Sequence, residues 1–167
     1  IERAITELQM QGATYFVLDL RNNGGGLLNA GIDTARLFLK DGLVMQQQYR
    51  GKDVESYRVE KPGPFTEIPL AVFINQYSAS ASEIIAGALQ TQNRAVLIGT
   101  STYGKNTVQL VFELQDKSSL RVTSARWWIP GSDLPQQGQG LEPDIPLQDV
   151  SDAGYINAAI DYFNLNP

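Results

Sequence analysis

The sequence contains no histidine and no cysteine. The first absence excludes a Ser-His-Asp triad, a Cys-His dyad and nearly all zinc catalysis. The second excludes disulfides, thiolate metal sites and a cysteine nucleophile. Any nucleophilic chemistry here needs a different base. There is no run of 18 or more apolar residues, so no segment reads as a membrane-spanning helix. No Lys/Arg block occurs, and 13 basic against 18 acidic side chains leave a net charge of −5. Such a chain lacks the electrostatic footprint of a nucleic-acid binder. It has equally little attraction for an anionic membrane surface. No nucleic acid and no stable membrane insertion are expected among its partners.

What is present fits a single domain. The chain has 167 residues, of which 43% are apolar and 19% charged, enough for a sizeable core. It starts at Ile1 inside an amphipathic pattern, with no methionine and no signal-like segment, and reads as a piece of a longer protein.

Apolar periodicity predicts the elements in turn. Ile1, Ala4, Ile5 and Leu8 predict a helix ended by Gly12, and Tyr15 to Leu20 a buried strand. Arg21-Asn22-Asn23-Gly24-Gly25-Gly26 is a loop. Asn29 to Leu39 reads as a helix with Ile32, Ala35, Phe38 and Leu39 inward. Leu43 to Tyr49 and Val54 to Val59 read as strands about a polar turn. Pro69 to Asn75 is a continuous apolar strand, expected to be buried on both faces. A helix over Ala81 to Gln90 and a strand over Ala95 to Ile98 follow. Thr107 to Leu114 and Ser119 to Trp128 read as a β pair turning near Asp116-Lys117. Ile129 to Glu142 is a loop rich in Pro, Gly and Gln. Asp152 to Phe163 is expected to be an amphipathic helix with Ile156, Ala159, Ile160 and Phe163 inward. The alternation is that of an α/β domain.

Two stretches carry candidate chemistry. Ser80-Ala81-Ser82-Glu83 ahead of an apolar helical run is a capping box, and the bland reading of Ser80 is a helix cap worth about 1 kcal/mol. The same position places a serine on a rigid strand-to-helix junction, beside backbone N–H groups free to stabilise an oxyanion. Ser78 and Ser82 compete with it, and local spacing does not choose among the three. Without histidine the base must be another group, and a neutral lysine serves when burial lowers its pKa. Moving a lysine from about 10.4 to about 7 takes roughly 4.6 kcal/mol of differential stabilisation, which only a desolvated site supplies. Lys105 is the candidate, because Thr102, Tyr103, Gly104, Asn106, Thr107 and Val108 around it carry no charge. Its bland reading is a solvated loop lysine.

Gly99 to Asn106 also spells G-x-x-x-x-G-K-N, one position short of a phosphate-binding loop. Asn106 lacks the hydroxyl that would hold magnesium. The β-branched, alternating sequence after it predicts a strand, where a phosphate loop must lead into a helix.

Three segments together resemble one family. LDLRNNGGGLL (Leu18 to Leu28), NQYSASASEIIAGALQ (Asn75 to Gln90) and STYGKNTVQ (Ser101 to Gln109) are similar to the carboxyl-terminal-processing, or tail-specific, serine proteases. QGLEPDI (Gln139 to Ile145) is similar to the G-x-x-P-D-I segment near the end of that family's core. In the family the nucleophile stands 25 residues before the base lysine, which implies Ser80 for Lys105. Gln109 falls on the assisting glutamine. The implied oxyanion donors are the backbone N–H groups of Ala81 and Gly25. Along a straight strand Gln109 would lie about 13 Å from Lys105, so contact requires a bend, for which Gly104 and Asn106 are the places. Three positions depart from the family pattern: Asn106 for glycine, Gly24 for proline, and Thr100-Ser101 for Glu-Pro.

The resemblance implies a crotonase/ClpP-like α/β fold, a mixed sheet with flanking helices. Residues 1–167 would be the C-terminal part of the catalytic core, with the family's PDZ domain and N-terminal regions outside this chain. It implies protein or peptide substrates with apolar C-termini, no metal or cofactor, and an extracytoplasmic location in the periplasm or cell envelope. It leaves the oligomeric state open. A competing reading is a non-catalytic ligand-binding module on the same scaffold, and retention of both Ser80 and Lys105 argues against it.

Overall fold

The computed structural model describes residues 1–131 and 138–166. Among these, four helices and eight strands alternate as the periodicity predicts. The N-terminal helix α1 (Glu2–Met10) is followed by β1 (Phe16–Asp19), α2 (Leu28–Arg36), β2 (Leu43–Tyr49), β3 (Val54–Arg58) and β4 (Leu70–Ile74). The chain continues through α3 (Ala81–Thr91), β5 (Val96–Gly99), β6 (Thr107–Glu113), β7 (Ser119–Trp128), β8 (Ile145–Pro146) and α4 (Asp152–Leu165). Of the loop expected over Ile129 to Glu142, residues 132–137 lie outside the described residues.

The strands form two sheets. One is parallel, in the order β1-β4-β5-β8; the other is antiparallel, in the order β3-β2-β7-β6. The α/β expectation is met, with the parallel and antiparallel pairings divided between the two sheets. β4 is buried along its whole length, as its unbroken apolar run requires. Leu70, Val72 and Ile74 face the main core, which they share with Ile32 on α2, Phe38 and Leu39 just after it, Ile84 and Leu89 on α3, and Met45 and Trp127 of the antiparallel sheet. Ala71 and Phe73 face the opposite way, onto Tyr155, Ala159 and Phe163 of α4.

Two expectations are corrected. β1 is an edge strand rather than a buried one: Phe16 and Leu20 are buried, but Tyr15 and Val17 are exposed. Among the described residues it pairs only with β4, and no strand lies on its other flank. On α4 the inward face is Tyr155, Ala159 and Phe163, while Ile156 and Ile160 are about half exposed at 53% and 51%. Tyr155 sets this rotation. Its hydroxyl donates to the Ile74 carbonyl at 2.8 Å, and its ring stacks obliquely on Phe73 with centroids 5.0 Å apart. No amphipathic count weighs a tyrosine so heavily against two isoleucines.

Candidate active site

Three loops leave the C-terminal ends of the adjacent parallel strands β1, β4 and β5. This is the edge of an α/β sheet where ligands bind. The loops are Leu20 to Leu27, Asn75 to Ser80 and Thr100 to Asn106; they carry Gly25, Ser80 and Lys105, while Ala81, Ser82 and Glu83 open α3 and Gln109 lies on β6.

The serine cluster is resolved by geometry. Ser78 is fully buried, with its hydroxyl donating to the Leu20 carbonyl at 2.7 Å and accepting the Asn75 N–H at 3.0 Å. It ties the β1 and β4 loops together and has no capacity left for chemistry. Ser82 is buried inside the first turn of α3. Ser80 is half-buried and has φ 57° and ψ −117°. A non-glycine residue in that region costs on the order of 1–3 kcal/mol, and such strain collects at functional sites. It is the conformation of a sharp strand-to-helix turn that lifts a side chain clear of the sheet.

The capping box forms as predicted, with the Ser80 N–H donating to Glu83 Oε2 at 2.8 Å. Glu83 does far more than cap. The same Oε2 accepts the Lys105 N–H at 3.0 Å, and Oε1 accepts the Gly104 N–H at 2.7 Å and the Thr102 hydroxyl at 2.6 Å. One buried carboxyl thus holds the backbone of Ser80 and the backbone of Lys105 on a single oxygen. The sequence pattern revealed only its local half, because Thr102, Gly104 and Lys105 lie 19 to 22 residues further on.

The base loop is clamped from its far side. The Thr102 hydroxyl accepts the Leu141 N–H at 2.7 Å, and the Thr102 N–H donates to the Leu141 carbonyl at 3.0 Å. A Cβ on Gly140 would collide with the Thr102 carbonyl, which explains the glycine of the QGLEPDI segment. Its aspartate, Asp144, accepts the Leu97 N–H at 2.7 Å and Gln90 Nε2 at 3.0 Å, so it serves β5 and α3 rather than the site.

Lys105 is half-buried and Gln109 is exposed. Both line one open cleft of about 790 Å³, together with Gly24, Tyr77, Ala79 and Tyr103. Gly104, just ahead of Lys105, has φ +83°, and the β6–β7 register slips between Val108 and Gln109. The segment after Asn106 is strand β6, so the near-match to a phosphate loop lacks the helix that would hold a phosphate.

The glycine turn reaches the serine. Gly25 has φ +91°, and a Cβ there would stand 2.8 Å from the Ala81 nitrogen and 2.8 Å from the Ser80 Cβ. Only glycine allows that approach. Ala81 opens α3, where a backbone N–H has no partner within the helix. The Gly25 N–H donates to Asn23 Oδ1 at 3.0 Å. Behind the turn, Asn22 (φ 59°) and Asn75 exchange hydrogen bonds of 3.0 Å, Asn22 N–H to Asn75 Oδ1 and Asn75 Nδ2 to Asn22 Oδ1.

Asp19 and Arg21 brace the same turn. Arg21 Nη2 donates to Asp19 Oδ2 at 2.7 Å and Nη1 to Asp152 Oδ1 on α4 at 2.8 Å, and the guanidinium lies 4.4 Å from the Tyr155 ring centroid. Burial pushes the Asp19 carboxyl upward in pKa, but the hydrogen bonds from the Arg21 side chain and N–H outweigh it and hold Asp19 below the usual carboxylate value. The Asp19 bond to Arg21 is in turn the main reason that the guanidinium pKa is raised. Asp19 is therefore an ion-pair residue that holds Arg21 beside the turn.

A family model, that of peptidase family S41, matches residues 1–147. A carboxyl-terminal-processing protease of Picosynechococcus is 48% identical over 130 residues, covering 78% of this chain and 31% of that protein. The chloroplastic carboxyl-terminal-processing peptidase 1 of Arabidopsis thaliana is 44% identical over 142 residues, covering 84% and 29%. The chain thus spans about a third of the length of these relatives. Among solved structures, the photosystem II D1 C-terminal processing protease superposes with a TM-score of 0.77 at 35% identity, over 93% of this chain and 41% of that one. A putative S41 protease of Bacteroides fragilis shares the fold, with a TM-score of 0.78 at 20% identity, over 99% of this chain and 48% of that one.

Proposed function

The chain belongs to peptidase family S41, with carboxyl-terminal-processing proteases as its relatives, and from that premise we propose that it carries the chemistry of a serine endopeptidase acting near the C-termini of proteins. The Ser80 hydroxyl is the nucleophile. The Lys105 amine, in its neutral form, takes the hydroxyl proton as Ser80 attacks the peptide carbonyl. The oxyanion is received by the N–H groups of Ala81 and Gly25. Lys105 then passes the proton to the departing amine, and an acyl-enzyme remains on Ser80. Water, deprotonated by Lys105, releases the acyl group and restores the serine. Gln109 orients the lysine amine from across the cleft. The reaction as written uses no metal or cofactor.

The observation that carries this reading is the convergence of Ser80 N–H and Lys105 N–H on Glu83 Oε2. It holds two residues 25 apart in sequence at one point, on a serine whose backbone is strained. Cleavage of an unfolded protein such as β-casein by the full-length protein should fall to background in both Ser80→Ala and Lys105→Ala. Wild-type turnover in either variant would sink the dyad.

Substrates with apolar C-termini follow from the family resemblance. Appending an apolar or a charged tripeptide to one test protein checks this, and equal cleavage of the two would remove the preference. We read residues 1–167 as the C-terminal part of the core, with a PDZ domain and N-terminal regions outside it. Equal activity of this segment and the full-length protein would contradict that division. We place the protein outside the cytoplasm, in the periplasm or cell envelope. Recovery in the cytosolic fraction on cell fractionation would argue otherwise.

A further inference from the structure

The hydrogen bond from Gly25 N–H to Asn23 Oδ1 puts a carbonyl-type oxygen on a donor that the proposed reaction needs for the oxyanion. We propose that Asn23 is a positioning residue whose amide oxygen stands in for the substrate oxygen, so that the oxyanion hole is capped until a substrate displaces it. This rests on the serine-protease reading above.

The surroundings separate the cap from the turn that carries it. The Asn23 main chain is anchored independently of its side chain: its N–H donates to the Leu20 carbonyl at 3.2 Å, and its carbonyl accepts the Ala79 N–H at 3.0 Å. That second bond joins the glycine turn to the residue before Ser80. Asn23 is solvent-exposed, and among the described residues its side chain bonds through Oδ1 to the Gly25 N–H. An exposed side chain changes rotamer within nanoseconds, far faster than catalytic turnover. The turn itself is held by those two main-chain bonds, and it lies so near the nucleophile that a Cβ on Gly25 would stand 2.8 Å from the Ala81 nitrogen and 2.8 Å from the Ser80 Cβ. The donor therefore stays in place while its acceptor swings away.

The cap resembles an amide carbonyl in charge and geometry, so a neutral peptide carbonyl merely exchanges with it. The developing oxyanion does better, since a charged acceptor binds an N–H about twice as strongly as a neutral one. The cap thus sharpens selection for the transition state over the ground state.

Two substitutions of opposite sign test this in the full-length protein, using β-casein cleavage. Asn23→Ala removes the competing oxygen and leaves both main-chain bonds, so kcat/KM should rise between about two- and tenfold, the weight of one exposed neutral hydrogen bond. Asn23→Asp keeps an acceptor in the turn but makes it a carboxylate beside the oxyanion, so kcat should fall by about tenfold or more with KM little changed. A residue that only shapes the turn gives the reverse order, with Asp restoring what Ala loses, and that result would overturn the proposal. Equal kcat/KM in wild type and both variants would overturn it too, because Gly25 N–H would then not be the donor used. If Asn23→Ala proves unstable, Asn23→Asp alone still separates the two roles. Failure of the underlying reading is distinct: it shows as cleavage that persists in Ser80→Ala.

Discussion

Ser80 holds φ 57° and ψ −117° at the head of a helix, in a region that glycine enters freely and serine does not. The strain is maintained by Glu83 from inside the helix and by the glycine turn pressed against it from outside. Ser80→Gly should therefore raise stability by about 1 kcal/mol, while Ser80→Ala, which keeps the Cβ, should not. Denaturant midpoints of the three proteins check the order, and equal midpoints would mean that the turn carries no strain. Both variants should lose all cleavage, a separation of stability from activity that is common at active sites. At this scale the sequence was ambiguous, since three serines within five residues looked alike. The partners of Ser78 and the burial of Ser82 removed two of them, and neither was visible in the local pattern.

The element that organises the site is helix α3, and its hold is electrostatic as well as apolar. Its buried face, with Ile84 and Leu89, fastens it into the main core. Its Glu83 then gathers four donors from the serine turn and the lysine loop. A glutamine has the same shape but turns one acceptor oxygen into a donor, and at either position that amine would face groups that themselves donate. Glu83→Gln should cost about 2 kcal/mol or more, as expected for leaving buried donors unmet. The midpoint should move with the denaturant slope unchanged. Cleavage should drop at least tenfold through kcat, because the serine and lysine backbones lose their common anchor. A stable, fully active Glu83→Gln would show that the loop is held by Thr102 and Leu141 alone. From sequence, Glu83 was legible only as the partner of a capping serine three positions before it in the same element.

Across the whole molecule the C-terminal helix is coupled to the site through Arg21. The guanidinium joins Asp19 at the end of β1 to Asp152 on α4 and lies over Tyr155, so the glycine turn and α4 share one cation. Asp19 is depressed in the folded state, so its contribution is present above the unfolded carboxylate value of about 3.9 and is lost as pH falls through the lower folded value. Asp19 is partly exposed, and solvent screening keeps this contribution modest. The melting temperature of wild type should exceed that of Asp19→Asn between pH 5 and 7, and the two should converge below about pH 3. A constant gap down to pH 2.5 would assign the difference to something other than ionisation. Above pH 5 this group contributes no pH dependence.

The amino-acid sequence by itself determined the order of the elements, the α/β class, the two-sided burial of β4 and the limits of β2 and β7. Each of these follows from short-range periodicity and from β-branched or capping residues a few positions apart. Absent histidine and cysteine removed a thiol nucleophile and an imidazole base, so any nucleophilic chemistry needed a different base before any element was placed. The tertiary structure decided what depends on partners distant in the chain. It made β1 an edge, turned α4 onto Tyr155, gave Glu83 its four donors and aimed the Gly25 N–H at Asn23. Those outcomes rest on hydrogen bonds between segments from 2 to 81 residues apart, and on ring packing that outweighs a hydropathy count. Even the two-residue bond of Asn23 depends on where the Ala79 loop pins its backbone, which no local pattern encodes.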